Sequence, residues 1–508
     1  MEMKDAIIVG ASNSGFMAGL ELLEKGYKVL LLEEHNNIGV SSKTSRHGRF
    51  EFENNNIGFY LGDNDREYSF AGLLDKVNVP NEVFFQSLDN FYTVICGDEK
   101  YTMPFGKEEF INKMEEYVPG SKVSLEEFFD LSNECCNAME YVVSHLGEEL
   151  SYDILKDEYN NFVRVAPYSV SRVLDTLEMP IKAQEILNAC WIYFGSGEGD
   201  ISFVEYAMFM YNAICYGVSV PANRNYDITL TLSQAFLEKG GEIKFNSKVE
   251  RVLVEDNTVN GVKLIDNTIY YSDTVIISSM ENRVYTELIE AANVPRKAIK
   301  SLNTRKVGPS LFTVHLGLNC SASELGLEEY SYLVYDSMDS DVLVSRLESI
   351  YNGNQFVTVE NVIDSDVSPS GTCIINLSAL ILGNVFDDYV DHDNYKMYEE
   401  EEALKIIETF EYATHTKIKE HIEEIKIVSP VEYSYFNKEH YGAMFGYYLH
   451  DYENLVPRIL NYKNELYIDG LYLCGGFSGD VFGYSSDISS GYIAGSVAIK
   501  RMEERHGK

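Results

Sequence analysis

Residues 6–33 constrain the fold more than any other stretch of this chain. Ala6-Ile7-Ile8-Val9 is an apolar run of strand length in which β-branched residues dominate. Gly10-Ala11-Ser12-Asn13-Ser14-Gly15 follows, and Phe16 to Lys25 reads as a helix stopped by Gly26. Tyr27 to Leu32 reads as a second strand, closed by Glu33. The acid stands 23 residues after the first glycine, close to the interval of about 20 in βαβ dinucleotide-binding units. Gly10 permits the tight turn out of the strand, and Gly15 lets helix and sheet pack closely. The helix N-terminus offers free N–H groups and a positive dipole to a pyrophosphate, and the Glu33 carboxylate accepts from ribose hydroxyls. Ser12 stands at the middle glycine of the usual G-x-G-x-x-G, where its hydroxyl is placed to bond a phosphate oxygen.

Charge narrows the partners. The chain has 80 acidic and 41 basic residues among 508, a net charge of −39. Nucleic acid is excluded as a partner, since phosphate contacts need clustered Lys and Arg. The same balance opposes electrostatic docking on an anionic membrane. No apolar run reaches the 18 or so residues of a membrane helix, and no secretory signal opens the sequence. The eight cysteines form no C-x-x-C pair and read as reduced thiols, so the expected location is cytoplasmic. The acidic cluster Glu399 to Glu402 reads as a solvated helix face, and Glu108 to Val118 as an amphipathic surface helix. His315, Trp191 and Cys474 read as structural.

Later segments repeat the theme. Leu232 to Gly241, Glu242 to Val249, Val252 to Val262 and Ser272 to Ser279 resemble, in order, a helix, a strand, a hairpin and a returning strand of a known family. Val314-His315-Leu316-Gly317-Leu318 reads as a further strand. Tyr441-Gly442-Ala443-Met444-Phe445-Gly446 precedes a final strand, Gly470 to Gly475, and Ser490-Gly491 opens a last helix. With Thr44 and Gly48-Arg49-Phe50-Glu51-Phe52-Glu53, this order resembles the FAD-dependent phytoene desaturase, carotenoid isomerase and retinol saturase-like proteins of the amine-oxidase-type flavoproteins. The resemblance implies an α/β fold: a discontinuous Rossmann-type FAD-binding domain (1–62, 205–290 and 425–508) with an inserted α+β substrate or cap domain (63–204 and 291–424). It implies FAD as cofactor, no metal, and a hydrophobic unsaturated substrate whose double bonds are desaturated, saturated or isomerised through flavin N5. Peripheral membrane contact goes with such a substrate.

The cofactor-binding candidates are then Gly10, Ser12, Ser14, Gly15, Glu33, Glu34, Gly39, Thr44, Val249, Gly475, Asp480, Gly483 and Ser490. Tyr441, Tyr447, Tyr448 and Tyr484 are the expected pocket wall, and no catalytic residue is assigned. The chain departs from the family at Ser12, Val40, Phe482 and Pro221-Ala222-Asn223-Arg224-Asn225, each at or near an expected glycine. Those losses frame a second expectation: a non-redox escort protein for a lipid or isoprenoid on the same scaffold, with weak flavin or none.

Overall fold

The computed structural model describes residues 4–39, 43–53, 59–60, 69–79, 83, 85–145, 150–349, 353–364, 366–386, 395–437, 440–448, 467–475 and 484–506. Its first layer is a five-stranded parallel sheet in the order Glu242–Lys244, Val29–Leu32, Ala6–Val9, Val275–Ser278 and Leu471–Cys474. Strands far apart in sequence thus lie side by side. Side chains alternate across a strand, so both faces must be apolar and both must be covered. Ala6 and Ile8 face the helices Asn13–Glu24, Tyr226–Glu238 and Tyr484–His506. Ile7, Leu30 and Leu32 face a three-stranded antiparallel sheet begun by Val249–Glu255 and Thr258–Leu264. Phe16 and Phe236 meet edge to face at 5.7 Å in the first layer of contacts. Burying each such side chain contributes roughly 1.5–3 kcal/mol.

The first helix begins at Asn13, earlier than the expected Phe16, because Ser12 caps it and the glycine turn is its own first turn. Gly26, at φ +81°, ends it as expected. The last helix starts at Tyr484, so Ser490 and Gly491 lie inside it and do not open it.

The second body is a seven-stranded mixed sheet. Its order is Ile422–Val428, Ser310–Leu318, Cys373–Ile381, Asn354–Val359, Ser331–Tyr335, Asn90–Cys96 and Glu99–Pro104. Phe312, Val314, Leu316, Ile375 and Leu377 pack one face against the helix Tyr395–Thr414. Glu399 and Glu402 of that helix are buried, which corrects the solvated reading of the acidic cluster. Burial holds both carboxyls above the ordinary range. The opposite face carries Thr313, His315, Asn376 and Ser378. It is covered by the hairpin Thr44–His47 and Phe50–Glu53 at one end and by a helical body at the other. Phe110, Ile111 and Met114 bury one side of Lys107–Tyr117, the surface helix expected there.

His315 is 1% exposed, and its Nδ1 lies 2.7 Å from Asn376 Oδ1. Burial drives its pKa down to about 3, so the ring is neutral. No disulfide is present among the described residues.

Candidate functional site

The parallel strands all end on one side, and the expected nucleotide residues collect there. Gly10 leaves the first strand at φ +106°, a conformation side chains resist. A Cβ on Gly15 would stand 2.3 Å from the Gly10 carbonyl oxygen, so only glycine closes this turn. Ser12 Oγ accepts the Gly15 N–H at 3.0 Å. The same oxygen lies 2.7 Å from Ser278 Oγ and 2.9 Å from Ser14 Oγ, and Ser14 lies 3.1 Å from Ser278. Three hydroxyls therefore form a closed ring between the turn and the fourth strand. Three contacts consume three hydroxyl protons, so a phosphate oxygen gains a donor by opening the ring. Ser278 is the member that glycine-motif reasoning missed, because it comes from a strand more than 260 residues later in the chain.

Glu33 is 6% exposed. One oxygen accepts the Ala11 N–H, and the other takes the His35 N–H and His35 Nδ1, all at 2.8 Å. A carboxylate has about four lone-pair positions, so one remains for a ribose hydroxyl and a second opens if the His35 ring swings away. His35 carried no signal in the glycine motif. The Glu33 carbonyl accepts from Ser247 and that of His35 from Asn246. These bonds set the course of the chain toward Val249, which packs on Leu30 and Leu32. Glu34 stays near the surface, 3.8 Å from Lys248. Gly39 sits under the turn: its N–H bonds the Ala11 carbonyl, and a Cβ there would meet Thr229 at 2.7 Å. Thr44 bonds Glu51 in the hairpin and touches none of these groups.

The C-terminal segment closes the site. Cys474 pairs with Ser278 across the sheet, and burial pushes its thiol up to about 12, so it is an inert strand thiol. Gly475 N–H donates to Ser490 Oγ at 2.9 Å. A Cβ on Gly491 would stand 2.3 Å from the Ser14 carbonyl oxygen, so the last helix crosses the first at the phosphate turn. Asp480 and Gly483, with the family departures Val40 and Phe482, lie outside the described residues, as does the side chain of Tyr484.

The remaining tyrosines separate. Tyr447 is 8% exposed; its hydroxyl accepts the Asn282 N–H at 3.1 Å, and its ring lies under Arg305. Tyr448 is half-buried, and burial pushes its hydroxyl up to about 12. Tyr441, at φ +57°, is 37% exposed. Their segment zips along residues 306–310 through Met444, Gly446 and Tyr448.

A buried polar cluster joins the two bodies. Arg224, in the segment that departs from the family's Pro and paired glycines, adopts φ +74°. Its guanidinium reaches Glu360 at 3.5 Å and the Val367 carbonyl at 3.0 Å, both beside the large sheet. Asn225 donates its N–H (2.6 Å) and Nδ2 (3.1 Å) to Glu53 of the hairpin. Burial, then the Glu360 charge, raises the Glu53 carboxyl to about 8 against the pull of Arg224.

The residues fit a dinucleotide: hydroxyls and a helix N-terminus for phosphate, and a buried carboxylate for ribose. Residues 8–71 match the NAD(P)-binding Rossmann-like domain model. The chain is 23% identical to a zebrafish (Danio rerio) protein named all-trans-retinol 13,14-reductase, over 98% of this chain and 86% of that one. It is 20% identical to a Methylomonas 4,4'-diapophytoene desaturase, over 99% of this chain and 96% of that one. Among solved structures it resembles cyclohexylamine oxidase from Brevibacterium oxydans, with a TM-score of 0.61 and 14% identity, covering 99% of this chain and 100% of that one. The α/β fold with a Rossmann-type nucleotide-binding sheet is therefore as expected, and so is the family resemblance.

Proposed function

We propose that this chain, a member of the phytoene desaturase, carotenoid isomerase and retinol saturase-like proteins, is an FAD-dependent oxidoreductase acting on double bonds of a hydrophobic unsaturated molecule. The observation that carries the reading is the convergence of Gly10, Ser12, Glu33, Ser278 and Gly475 at the carboxyl ends of one parallel sheet, where α/β proteins bind such ligands. When bound, the flavin supplies hydride transfer at N5. The chain's own part is to hold and orient. Glu33 receives ribose hydroxyls. Ser12, Ser14 and Ser278 meet the pyrophosphate. The Tyr447 and Arg305 stack supports the chain beside the fourth strand, where an apolar substrate would be shielded from water. Asp480, Gly483 and Ser490 belong to the same proposed set.

We place the protein in the cytoplasm, taking its substrate from a carrier or a membrane surface. Among the described residues no helix is long and apolar enough to cross a membrane. The competing escort reading draws on Ser12, which already occupies one N–H of the helix that would face phosphate. Anaerobic mixing tests the choice. The oxidised or the reduced protein is combined with all-trans-retinol or phytoene, and the flavin absorption is followed. A substrate-dependent change in flavin redox state supports the oxidoreductase. Retention of polyene with no change in either direction supports the escort.

A further inference from the structure

The helix Ile181–Leu187 runs into a tight turn, Asn188–Tyr193, deep in the helical body. Helix ends leave carbonyls without partners, and here three tyrosines supply them. The hydroxyls of Tyr92, Tyr206 and Tyr335 donate to the carbonyls of Ile186, Leu187 and Ala189 at 2.7, 2.9 and 2.7 Å. Trp191 packs on Tyr335 with ring centroids 6.0 Å apart. The turn is thus fixed from three sides.

Its polar side chains are a different matter. Asn188, Trp191 and Ser196 are 2%, 1% and 1% exposed. Asn188 Oδ1, Trp191 Nε1 and Ser196 Oγ have no hydrogen-bond partner among the described residues. Buried polar groups are nearly always satisfied, and a buried indole N–H usually finds an acceptor. At three residues per turn, Asn188 and Trp191 lie on the same side. The Asn188 amide nitrogen donates to Glu198, two residues beyond Ser196, so the loop that carries Ser196 folds back toward the turn.

The place is also telling. A Cβ on Gly195 would meet the Phe445 ring at 2.7 Å and Pro309 at 3.0 Å. Phe445 belongs to the segment whose Tyr447 bonds Asn282, just beyond Ser278 at the carboxyl end of the parallel sheet. Ser196, the next residue after Gly195, is thereby carried beside the chain that closes on the nucleotide site.

We propose that Asn188, Trp191 and Ser196 form a polar recess in the substrate wall that takes a hydroxyl or carbonyl group of the unsaturated substrate. This rests on the oxidoreductase reading and narrows it: the substrate is an oxygenated polyene, not a plain hydrocarbon. One acceptor, one N–H donor and one hydroxyl complement a neutral oxygen function. A site built to hydrogen-bond rejects the analogue that lacks the group, because its own polar atoms are then left bare.

Trp191 is the only tryptophan, so indole emission reports this position alone. The purified holoprotein is titrated with all-trans-retinol and with its deoxy analogue, the same polyene without the hydroxyl, following quenching of that emission. Retinol is expected to bind at least about tenfold more tightly. In Ser196→Ala the preference falls severalfold while the deoxy analogue binds as before, which also shows that the fold is intact. Equal binding of the two polyenes to the unaltered protein overturns the recess, which then holds water only. An unchanged preference in Ser196→Ala overturns the assignment as well. If the flavin is bound and reducible but neither polyene binds, the reading of the substrate class falls with it.

Discussion

Gly491→Ala is expected to loosen the nucleotide site from outside it. The last helix crosses the first so closely that the new methyl would stand 2.3 Å from the Ser14 carbonyl oxygen and 2.8 Å from Ser14 Cα. Both are backbone atoms and cannot rotate aside. Ordinary contact requires the helices to part by about 1 Å, and overpacking of this kind costs about 1–3 kcal/mol. Parting them also stretches the 2.9 Å bond from Gly475 N–H to Ser490 Oγ, which is buried. A buried donor left unsatisfied costs a further ~1–3 kcal/mol. The sum, roughly 2–6 kcal/mol, is a large share of the 5–15 kcal/mol that holds a typical protein folded. Equilibrium urea unfolding reads the loss, and flavin retained through gel filtration reads the displacement of Ser14. Glu503→Ala, exposed on the same helix, is the control. If Gly491→Ala matches that control in both measurements, the close crossing does not hold the phosphate turn in place.

Three further outcomes follow from the same geometry. Glu33→Gln replaces an oxygen that accepts N–H groups with a second donor, and flavin affinity measured by fluorescence should fall tenfold or more; unchanged affinity would remove Glu33 from the ribose site. Glu53 holds its proton to about pH 8 when folded, so its contribution to stability is full below the unfolded carboxylate range, near pH 4.5, and is lost as pH rises through about 8. Urea midpoints of Glu53→Gln should therefore vary less across that window than those of the parent protein. Arg224→Gly relieves backbone strain of about 1 kcal/mol but strips a partner from buried Glu360, a loss of about 3–5 kcal/mol, so thermal melting should show a net destabilisation of about 2–4 kcal/mol.

The readable parts of the sequence are those whose physics is local. A strand, a glycine turn and a capped helix declare themselves within 25 residues or so, and the family order of the later segments placed the fourth and fifth strands of the sheet. What stayed hidden depends on residues that meet only after folding. Ser278 completes the hydroxyl ring from another strand, and His35 occupies the acid from beside it. Arg224 and Glu360 are 136 residues apart, and Asn225 and Glu53 are 172 apart, so no window of sequence contains either pair. The departure around Arg224 read only as lost glycines. Folded, the Arg224 side chain is a cross-link between the two bodies. Glu399 and Glu402 misled because a run of acids resembles a solvated face until the helix is laid on the large sheet and two of them are buried.

What the carboxyl ends of the parallel strands hold decides between an oxidoreductase and an escort. The absorption spectrum of the purified protein, with the released cofactor identified by mass, tests this most directly. A flavin spectrum that bleaches on reduction, with FAD as the released species, is the predicted result. A protein that is colourless, and stays colourless after FAD is added, contradicts it.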